Sequence, residues 1–459
     1  MKTPMNSPKT MSKTAVPCHY PWSSIYVSPN GDVRHCCSTN LKKLGNLSEQ
    51  SLDEIWNGPM YQLVREHVGK GEFAEAFCSP TCEGLRNNKG YPWPKLTPGS
   101  AEMEANEARA RDNFFKGVGQ VDHLPSQLKI EFTDVCNFRC VMCFYDFIPP
   151  YNKVPEEALD QIREASKFAS SVTLMGGEVF MNKHDLDFIR DFVPAEGASM
   201  GFVTNASYLD DKMVEMLKKF RRIGMQVSID GTTKEVFEKI RVRGNWEVVD
   251  RNIRRVAAKA RELAPEGYEW NLDLAYVVMK SNLPNLANSV NYAAELDLPI
   301  AFNPVKGFHL LTENIFVYGN LLDEIPDWRA HMQAAFDALE SHKGGYSHYK
   351  SVKHYLDNVQ RYLDAPKIAP SPRAIRLMRR FIKTDKDMGH ALGLYFDWKV
   401  EGVSLPVTVS YATRKLVSRY RSRRAARRNP PPAPRKAEVQ APAPELVSLT
   451  RRSEPREQA

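Results

Sequence analysis

Cysteine is scarce in this chain, eight residues in 459, and the eight stand in two groups. Scarcity in so long a chain excludes a disulfide scaffold, which packs many cysteines into a short secreted domain. No apolar run approaches the roughly 20 residues needed to cross a bilayer. No basic, then apolar, then small-residue secretory pattern opens the sequence, so the reducing cytoplasm is the expected compartment. A broad excess of positive charge is also absent. Residues 411–459 hold thirteen Lys or Arg and four Asp or Glu, 13 − 4 = +9, against +8 for the whole chain, so residues 1–410 sum to −1. The basic balance belongs to the C-terminal stretch and says little about the remainder.

What the cysteines do supply is spacing. Cys136, Cys140 and Cys143 form a C-x3-C-x2-C run. Three thiolates suit a [4Fe-4S] cube that keeps one iron open for a cofactor or substrate; a closed zinc site needs a fourth ligand nearby, and none follows. A zinc knuckle borrowing a distant His, or a redox pair, is the other reading of the spacing. Cys18, Cys36, Cys37, Cys78 and Cys82 make the second group. Four of these suit a fully ligated cluster or a zinc.

The surroundings of the triad alternate between two periodicities. β-prone runs at residues 128–133, 171–175, 200–204, 225–229, 272–278 and 300–303 are candidate strands. Helical patterns lie between them, as where Leu209, Met213, Met216, Leu217 and Phe220 recur at spacings of three and four. This βα repetition predicts an α/β fold, a parallel sheet or barrel of six units with its site at the C-terminal strand ends. The cysteine triad falls in the loop after the first strand.

At these residues the chain resembles the radical S-adenosylmethionine (SAM) enzymes. Met142 stands where the family usually has an aromatic just before the last cysteine. Gly176-Gly177-Glu178 after strand two resembles the family's Gly-Gly-Glu-Pro, with Val179 in place of the proline. Thr204-Asn205-Ala206 resembles Thr-Asn-Gly, and Ser228-Ile229-Asp230-Gly231 a Ser-x-Asp-Gly signature, followed by Ile240-Arg241 and Trp246. The resemblance implies a partial (β/α)6 TIM-like barrel. It implies that Cys136, Cys140 and Cys143 hold a [4Fe-4S] cluster whose open iron chelates SAM, and that electron transfer releases a 5′-deoxyadenosyl radical that takes a hydrogen from the substrate. The radical chemistry is the cofactors'; binding and orientation are the protein's. Gly176, Gly177, Glu178, Asn205, Ser228 and Arg241 would orient SAM, Arg241 by a bidentate grip on its carboxylate. Asp230 is a further candidate for that shell, Arg243 a rival for the Arg241 role. Phe138 and Phe144 flank adenine or serve only as core.

The N-terminal region resembles a second family. Around residues 15–90 come Cys18, β-prone runs on either side of Asn30-Gly31, Cys36-Cys37, Leu44-Gly45-Asn46, Ser51-Leu-Asp-Glu54-Ile-Trp56, and Cys78-x3-Cys82. Asn-Gly predicts a hairpin turn with both residues at positive φ; Ser51-x-x-Glu54 predicts a capping box. The order resembles the SPASM module, an auxiliary iron–sulfur domain of many radical SAM enzymes. It implies an auxiliary [4Fe-4S] cluster on Cys18, Cys36, Cys78 and Cys82, with Cys37 spare. Two departures stand out: the module precedes the barrel, and its cysteines suffice for one cluster where full modules hold two.

The expected organisation is this module, a linker at 91–124, a barrel at 125–315, a helical region at 316–410 and a basic, largely disordered Pro/Arg-rich tail at 411–459. The tail suggests a solubilising role, with nucleic-acid or membrane contact as the alternative. The resemblance implies an external electron donor such as flavodoxin or ferredoxin, and an oxidoreductase, epimerase or peptide-modifying reaction. The substrate would be a small molecule such as a sugar, or a peptide; with no separate peptide-docking segment ahead of the module, a peptide is the weaker expectation. A metal-bound scaffold without catalysis is the reading from another class.

Overall fold

The computed structural model describes residues 18–37, 42–79, 82–86, 90–94, 98–145, 151–306, 310 and 312–367. The basic tail and the part of the helical region beyond residue 367 lie outside the described residues. In chain order the strands are β1 (Ser24–Val27), β2 (Asp32–Arg34), β3 (Gly45–Asn46), β4 (Gln127–Glu131), β5 (Arg139–Cys140), β6 (Ser171–Met175), β7 (Ser199–Thr204), β8 (Arg222–Ser228), β9 (Arg241–Val242), β10 (Glu269–Val278) and β11 (Ile300–Pro304). Nine make one sheet in the order β11-β10-β8-β7-β6-β4-β1-β2-β3. From β4 to β11 the six long strands run parallel, each beside its predecessor in sequence, as the six βα units predict.

The strands alternate sharply in exposure. Leu128, Ile130, Val172, Leu174, Phe202, Met225 and Leu274 fill one buried face. The other face is half-buried or open: Gly224, Gln226, Asn271, Asp273 and Asn303 are exposed although they lie on adjoining parallel strands. Parallel sheets ordinarily cover both faces with apolar side chains, so this polar face is a departure. The long helix Trp246–Leu263 packs on β10. Asn245 caps it by accepting from the Val248 N–H at 2.9 Å. Its buried stripe is Val249, Ile253, Val256 and Ala257, one face of a 3.6-residue repeat. Burying each Val or Ile there contributes about 1.5–3 kcal/mol.

The N-terminal module joins the same sheet. β1 pairs in parallel with β4, Tyr26 opposite Lys129 and Val27 opposite Ile130, and antiparallel with β2. The hairpin forms as expected, but its connection is the four residues Ser28 to Gly31, and among its residues only Gly31 has positive φ, at 79°. A two-residue turn would need both central residues there; this longer loop does not. The Asn30 side chain instead accepts from the Ser28 hydroxyl at 2.8 Å. The capping box on helix Leu52–Trp56 is present in full. The module is pinned to the approach to β4 by buried polar groups. Arg65 donates to Pro21 O and Gly119 O, both at 2.9 Å, with its guanidinium 4.4 Å from the centre of the Trp56 ring. Trp56 Nε1 donates to His123 O, and His123 Nε2 meets Trp22 O at 2.7 Å. Among the described residues, no helix is long and apolar enough to cross a membrane.

Candidate active site

The cysteine loop starts where β4 ends, and the glycine pair after β6 lies against its backbone. Gly177 N–H donates to Thr133 O at 2.9 Å, and Glu178 N–H to Val135 O at 3.0 Å. A Cβ on Gly177 would stand 1.8 Å from Val135 O; one on Gly176, whose φ is +122°, would stand 2.6 Å from Thr133 O. Only glycine permits this approach. The two glycines therefore seat the first turn of the cysteine loop on the sheet.

Glu178 is fully buried. Its carboxylate accepts from the Thr204 hydroxyl at 2.6 Å, Asn205 N–H at 2.8 Å and Phe180 N–H at 3.2 Å. Burial raises its pKa, against the pull of these bonds. Thus the end of β6 is tied to the end of β7. Asn205 continues the tie: its Nδ2 donates to Asn137 Oδ1 at 2.9 Å and stands 3.9 Å from the Cys136 sulfur. Asn137, which no motif had singled out, donates onward to the Ser207 hydroxyl at 3.0 Å.

A two-residue ladder fixes the far side. β5 pairs antiparallel with β9, setting Cys140 opposite Arg241. Arg241 Nη1 points to the Cys140 sulfur at 3.7 Å. Its Nη2 forms an ion pair with Asp230 at 2.5 Å, the two side chains 9% and 0% exposed. Its Nε is buried without a hydrogen-bond partner. Asp230 lies beneath the arginine and accepts from Val277 N–H at 2.6 Å, while Asn282 holds its main-chain oxygen at 3.0 Å. Asp230 has φ +49°, a conformation Asp tolerates better than most residues. Burial raises the Asp230 carboxyl above its usual range against the attraction of Arg241.

The remaining expected residues are dispersed around this centre. Ser228 closes β8, half-buried, opposite Ala275. Phe144 is 69% exposed beside Tyr145, ring centres 4.4 Å apart. Phe138 is buried edge-on to Phe237, which makes it core. Arg243 is exposed, away from Arg241's buried position. A buried carboxylate that the motifs did not single out, Glu131, ends β4 and accepts from the Tyr26 hydroxyl across the β1–β4 pair. Nothing in the sequence sets it apart from Lys129, the other charge on the same strand.

Cysteines of the second group act on one another's charge. Burial pushes the Cys18 thiol up to about 12, with the Cys78 and Cys82 charges adding to it. Cys78 is pushed up to about 12 by burial, with Cys36 and Cys82 adding. Cys37 is exposed, and it acts on Tyr20 and Tyr26 rather than on Cys78. No disulfide joins any of the eight.

Comparison with known proteins bears on both regions. Residues 130–262 match the radical SAM superfamily, and residues 18–83 match an iron–sulfur cluster-binding domain, SPASM. The barrel segment is a radical SAM domain. The chain is 31% identical over 134 residues to a GTP 3′,8-cyclase of Mannheimia succiniciproducens, covering 28% of this chain and 40% of that protein. It is 28% identical over 216 residues to the molybdenum cofactor biosynthesis protein moc-5 of Caenorhabditis elegans, covering 44% and 34%. It thus spans less than half the length of these two relatives. Streptococcus suis SuiB bound to S-adenosylmethionine aligns over 70% of each chain at 15% identity, TM-score 0.33.

Radical SAM domains use a [4Fe-4S] cluster and SAM, and the SPASM match adds an auxiliary iron–sulfur site. The donors present fit. Both groups are all-thiol, the ligand set iron–sulfur clusters take. Burial pushes the Cys136 thiol up to about 11, with Cys140 and Cys143 adding to it; metal ligation is what would hold such buried thiols as thiolates. Among the described residues, no three His, Cys, Asp or Glu side chains converge as around a single ion. Each thiolate of a cube caps a different iron, so cluster thiols stand farther apart than ligands of one ion. The partnerless Arg241 Nε beside Cys140 is a vacant donor of the kind a bound carboxylate satisfies.

Proposed function

We propose that this chain cleaves SAM reductively and directs the resulting 5′-deoxyadenosyl radical at a C–H bond of a small polar molecule, with the auxiliary cluster taking up an electron from the substrate. The observation that carries this reading is the buried Cys140–Arg241–Asp230 arrangement: a guanidinium held by a carboxylate beneath it, touching one cluster thiol, with one donor left over. When bound, the open-iron cluster supplies the electron that breaks the SAM sulfonium bond. Cys136, Cys140 and Cys143 hold that cluster. Arg241 receives the SAM carboxylate through Nε, and Asp230 positions Arg241. Gly176 and Gly177 set the cysteine loop in place; Glu178 and Asn205 lock the neighbouring strand ends to it. Ser228 and the exposed Phe144 ring are the remaining groups for SAM, Phe144 as a face for adenine. Cys18, Cys36, Cys78 and Cys82 hold the auxiliary cluster. Residues 125–315 are then the catalytic unit and residues 15–90 the auxiliary module, with flavodoxin or ferredoxin as the external donor.

A small polar substrate, sugar-like in its hydrogen bonding, is favoured over a peptide by the open sheet face. Gln226 stands beside Asp273, and Gly224 beside Asn271, across the β8–β10 pair. A Cβ on Gly224 would meet nothing within 4 Å. A glycine in a strand interior often marks close approach of a ligand.

The test is anaerobic reconstitution. The 459-residue chain should hold about eight irons, two [4Fe-4S] clusters, and the Cys136/Cys140/Cys143→Ala variant about four. With dithionite and SAM the parent should form 5′-deoxyadenosine and the variant should not. A reduced, fully loaded protein that binds SAM and never cleaves it would leave the non-catalytic scaffold as the reading.

A further inference from the structure

Cys18, Cys36, Cys78 and Cys82 are all half-buried, so whatever covers them decides how much water reaches a cluster held there. Residues 90–94, Gly-Tyr-Pro-Trp-Pro, lie beyond the residues 18–83 that match SPASM. Their two prolines have no main-chain N–H to give to a helix or sheet, and each keeps the residue before it extended. The sequence thus makes a stiff strap that must find its partners through Tyr91, Trp93 and the main-chain oxygens.

Its contacts tie both ends of the cysteine group together. Gly90, at φ +62°, turns the chain back, and its N–H donates to Gly84 O at 2.8 Å. Tyr91 then lies beside Cys18 in a parallel bridge, its main-chain oxygen accepting from His19 N–H at 3.0 Å. The half-buried Tyr91 ring packs over Gly84, two residues after Cys82. A Cβ on Gly84 would stand 2.6 Å from Tyr91 Cε2, so a side chain there would push the ring away. The ring also meets that of Tyr20, centres 5.2 Å apart, and Lys129 Nζ of β4 stands 5.6 Å from the Tyr20 ring centre. Trp93 anchors the far end of the strap against His19 and Phe114, with ring centres 5.5 and 5.7 Å apart.

We propose that Tyr91 is the water screen of the auxiliary centre: a ring laid from the Cys18 segment to the turn after Cys82, which holds the centre's potential low and slows its loss to oxygen. The inference rests on the auxiliary-cluster reading above. A cluster on four thiolates is anionic and gains negative charge on reduction. Water stabilises the more highly charged form more strongly, so admitting water favours the reduced state and raises the potential. Tyr91 touches no reacting atom and acts only through the cluster's surroundings. What it supplies is the cover of its ring, so phenylalanine should serve in its place and alanine should not.

The experiment uses the whole chain carrying Cys136/Cys140/Cys143→Ala, reconstituted anaerobically, so that the auxiliary cluster alone is read. Its potential is measured by dye-mediated titration followed by electron paramagnetic resonance. Oxygen sensitivity is the decay of the cluster's visible absorbance in air-saturated buffer. Tyr91→Ala, which removes the ring, and Gly84→Ala, which drives the intact ring away, should both start with about four irons. Both should show a potential shifted upward and lose the cluster several-fold faster than the parent. Tyr91→Phe should match the parent in both readouts. Ser51→Ala is the control for general loosening: it removes the capping box of helix Leu52–Trp56 and leaves the strap alone, so it too should match the parent. Unmoved potential and lifetime in Tyr91→Ala overturn the screen. An equal shift in Ser51→Ala overturns it, as does one in Tyr91→Phe, since the hydroxyl and not the ring's cover would then act. If Tyr91→Ala takes up no iron, Gly84→Ala decides; if neither takes up iron, the strap is a folding element and the screen is overturned. Absence of iron from the Cys136/Cys140/Cys143→Ala parent would instead overturn the auxiliary-cluster reading, and the screen with it.

Discussion

Replacing Asp230 by Ala removes the support beneath Arg241, and the cost can be worked from the structure. The Asp230 side chain is fully buried and the Arg241 side chain nearly so, so the variant leaves a guanidinium inside the protein with no counter-charge. Breaking a buried pair from one side costs about 3–5 kcal/mol. Val277 N–H loses its acceptor, a further ~1–3 kcal/mol, although the two losses share one carboxylate and will not add in full. Domains of this kind are stable by about 5–15 kcal/mol, so Asp230→Ala should lose roughly 4–6 kcal/mol, a large part of the total. Asp230→Asn keeps an acceptor for Val277 and should lose less. Asp230→Leu with Arg241→Met removes both charges and should recover much of the loss, as buried pairs replaced together often do. The assay is urea unfolding of the cluster-free protein, all variants at one pH, read as a double-mutant cycle. If Asp230→Ala lay within about 0.5 kcal/mol of the parent, the size of an ordinary surface change, then the pair would not be a buried ion pair and Arg241 would not be held by it.

Three further outcomes follow from particular contacts. Gly177→Ala places a methyl against the Val135 carbonyl, so it should displace the cysteine loop; iron analysis should find the barrel cluster lost and the auxiliary cluster kept. His123 is buried and its pKa is lowered to about 4 by burial, from an unfolded value near 6.5. Its stabilising contribution is therefore complete above pH 6.5 and lost as pH falls toward 4, worth about 3 kcal/mol in full. Stability of the cluster-free protein measured between pH 7 and pH 4 should fall less steeply in His123→Gln; an unchanged slope would refute the assignment. Cys18→Ala should abolish substrate turnover but retain some SAM cleavage, measured as 5′-deoxyadenosine; parental turnover would place the auxiliary site outside the reaction.

The barrel was legible because each of its strands carries its own signal. The apolar run at residues 171–175 is the observed β6 without correction, and β8 extends beyond its expected run into polar Arg222, which apolarity alone could not reveal. The glycine pair was legible as a motif, but its observed work, receiving the cysteine loop at backbone distance, depends on Thr133 and Val135, which are ordinary in sequence. Arg241 was legible by its distance from Asp230-Gly231. That the two are ion-paired beneath Cys140 was not, because β5 and β9 are two residues each and leave no periodicity. The β1–β4 pairing was equally silent. A four-residue strand such as Ser24–Val27 reads as half of a hairpin, and nothing in its composition says that its other edge meets a strand a hundred residues away.

That pairing bears on how the chain can be cut. β4 begins the barrel, and without β1 its outer N–H and C=O groups would form a bare sheet edge beside Phe132, Ile130 and Leu128. Unprotected edges recruit strands from other molecules. A fragment beginning near residue 91 would carry every residue proposed above to bind SAM and still present that edge, so it should form soluble aggregates or edge-paired dimers during expression. The hairpin is thus an edge guard, and isolating the barrel calls for a replacement strand or a charged substitution on β4 rather than simple truncation.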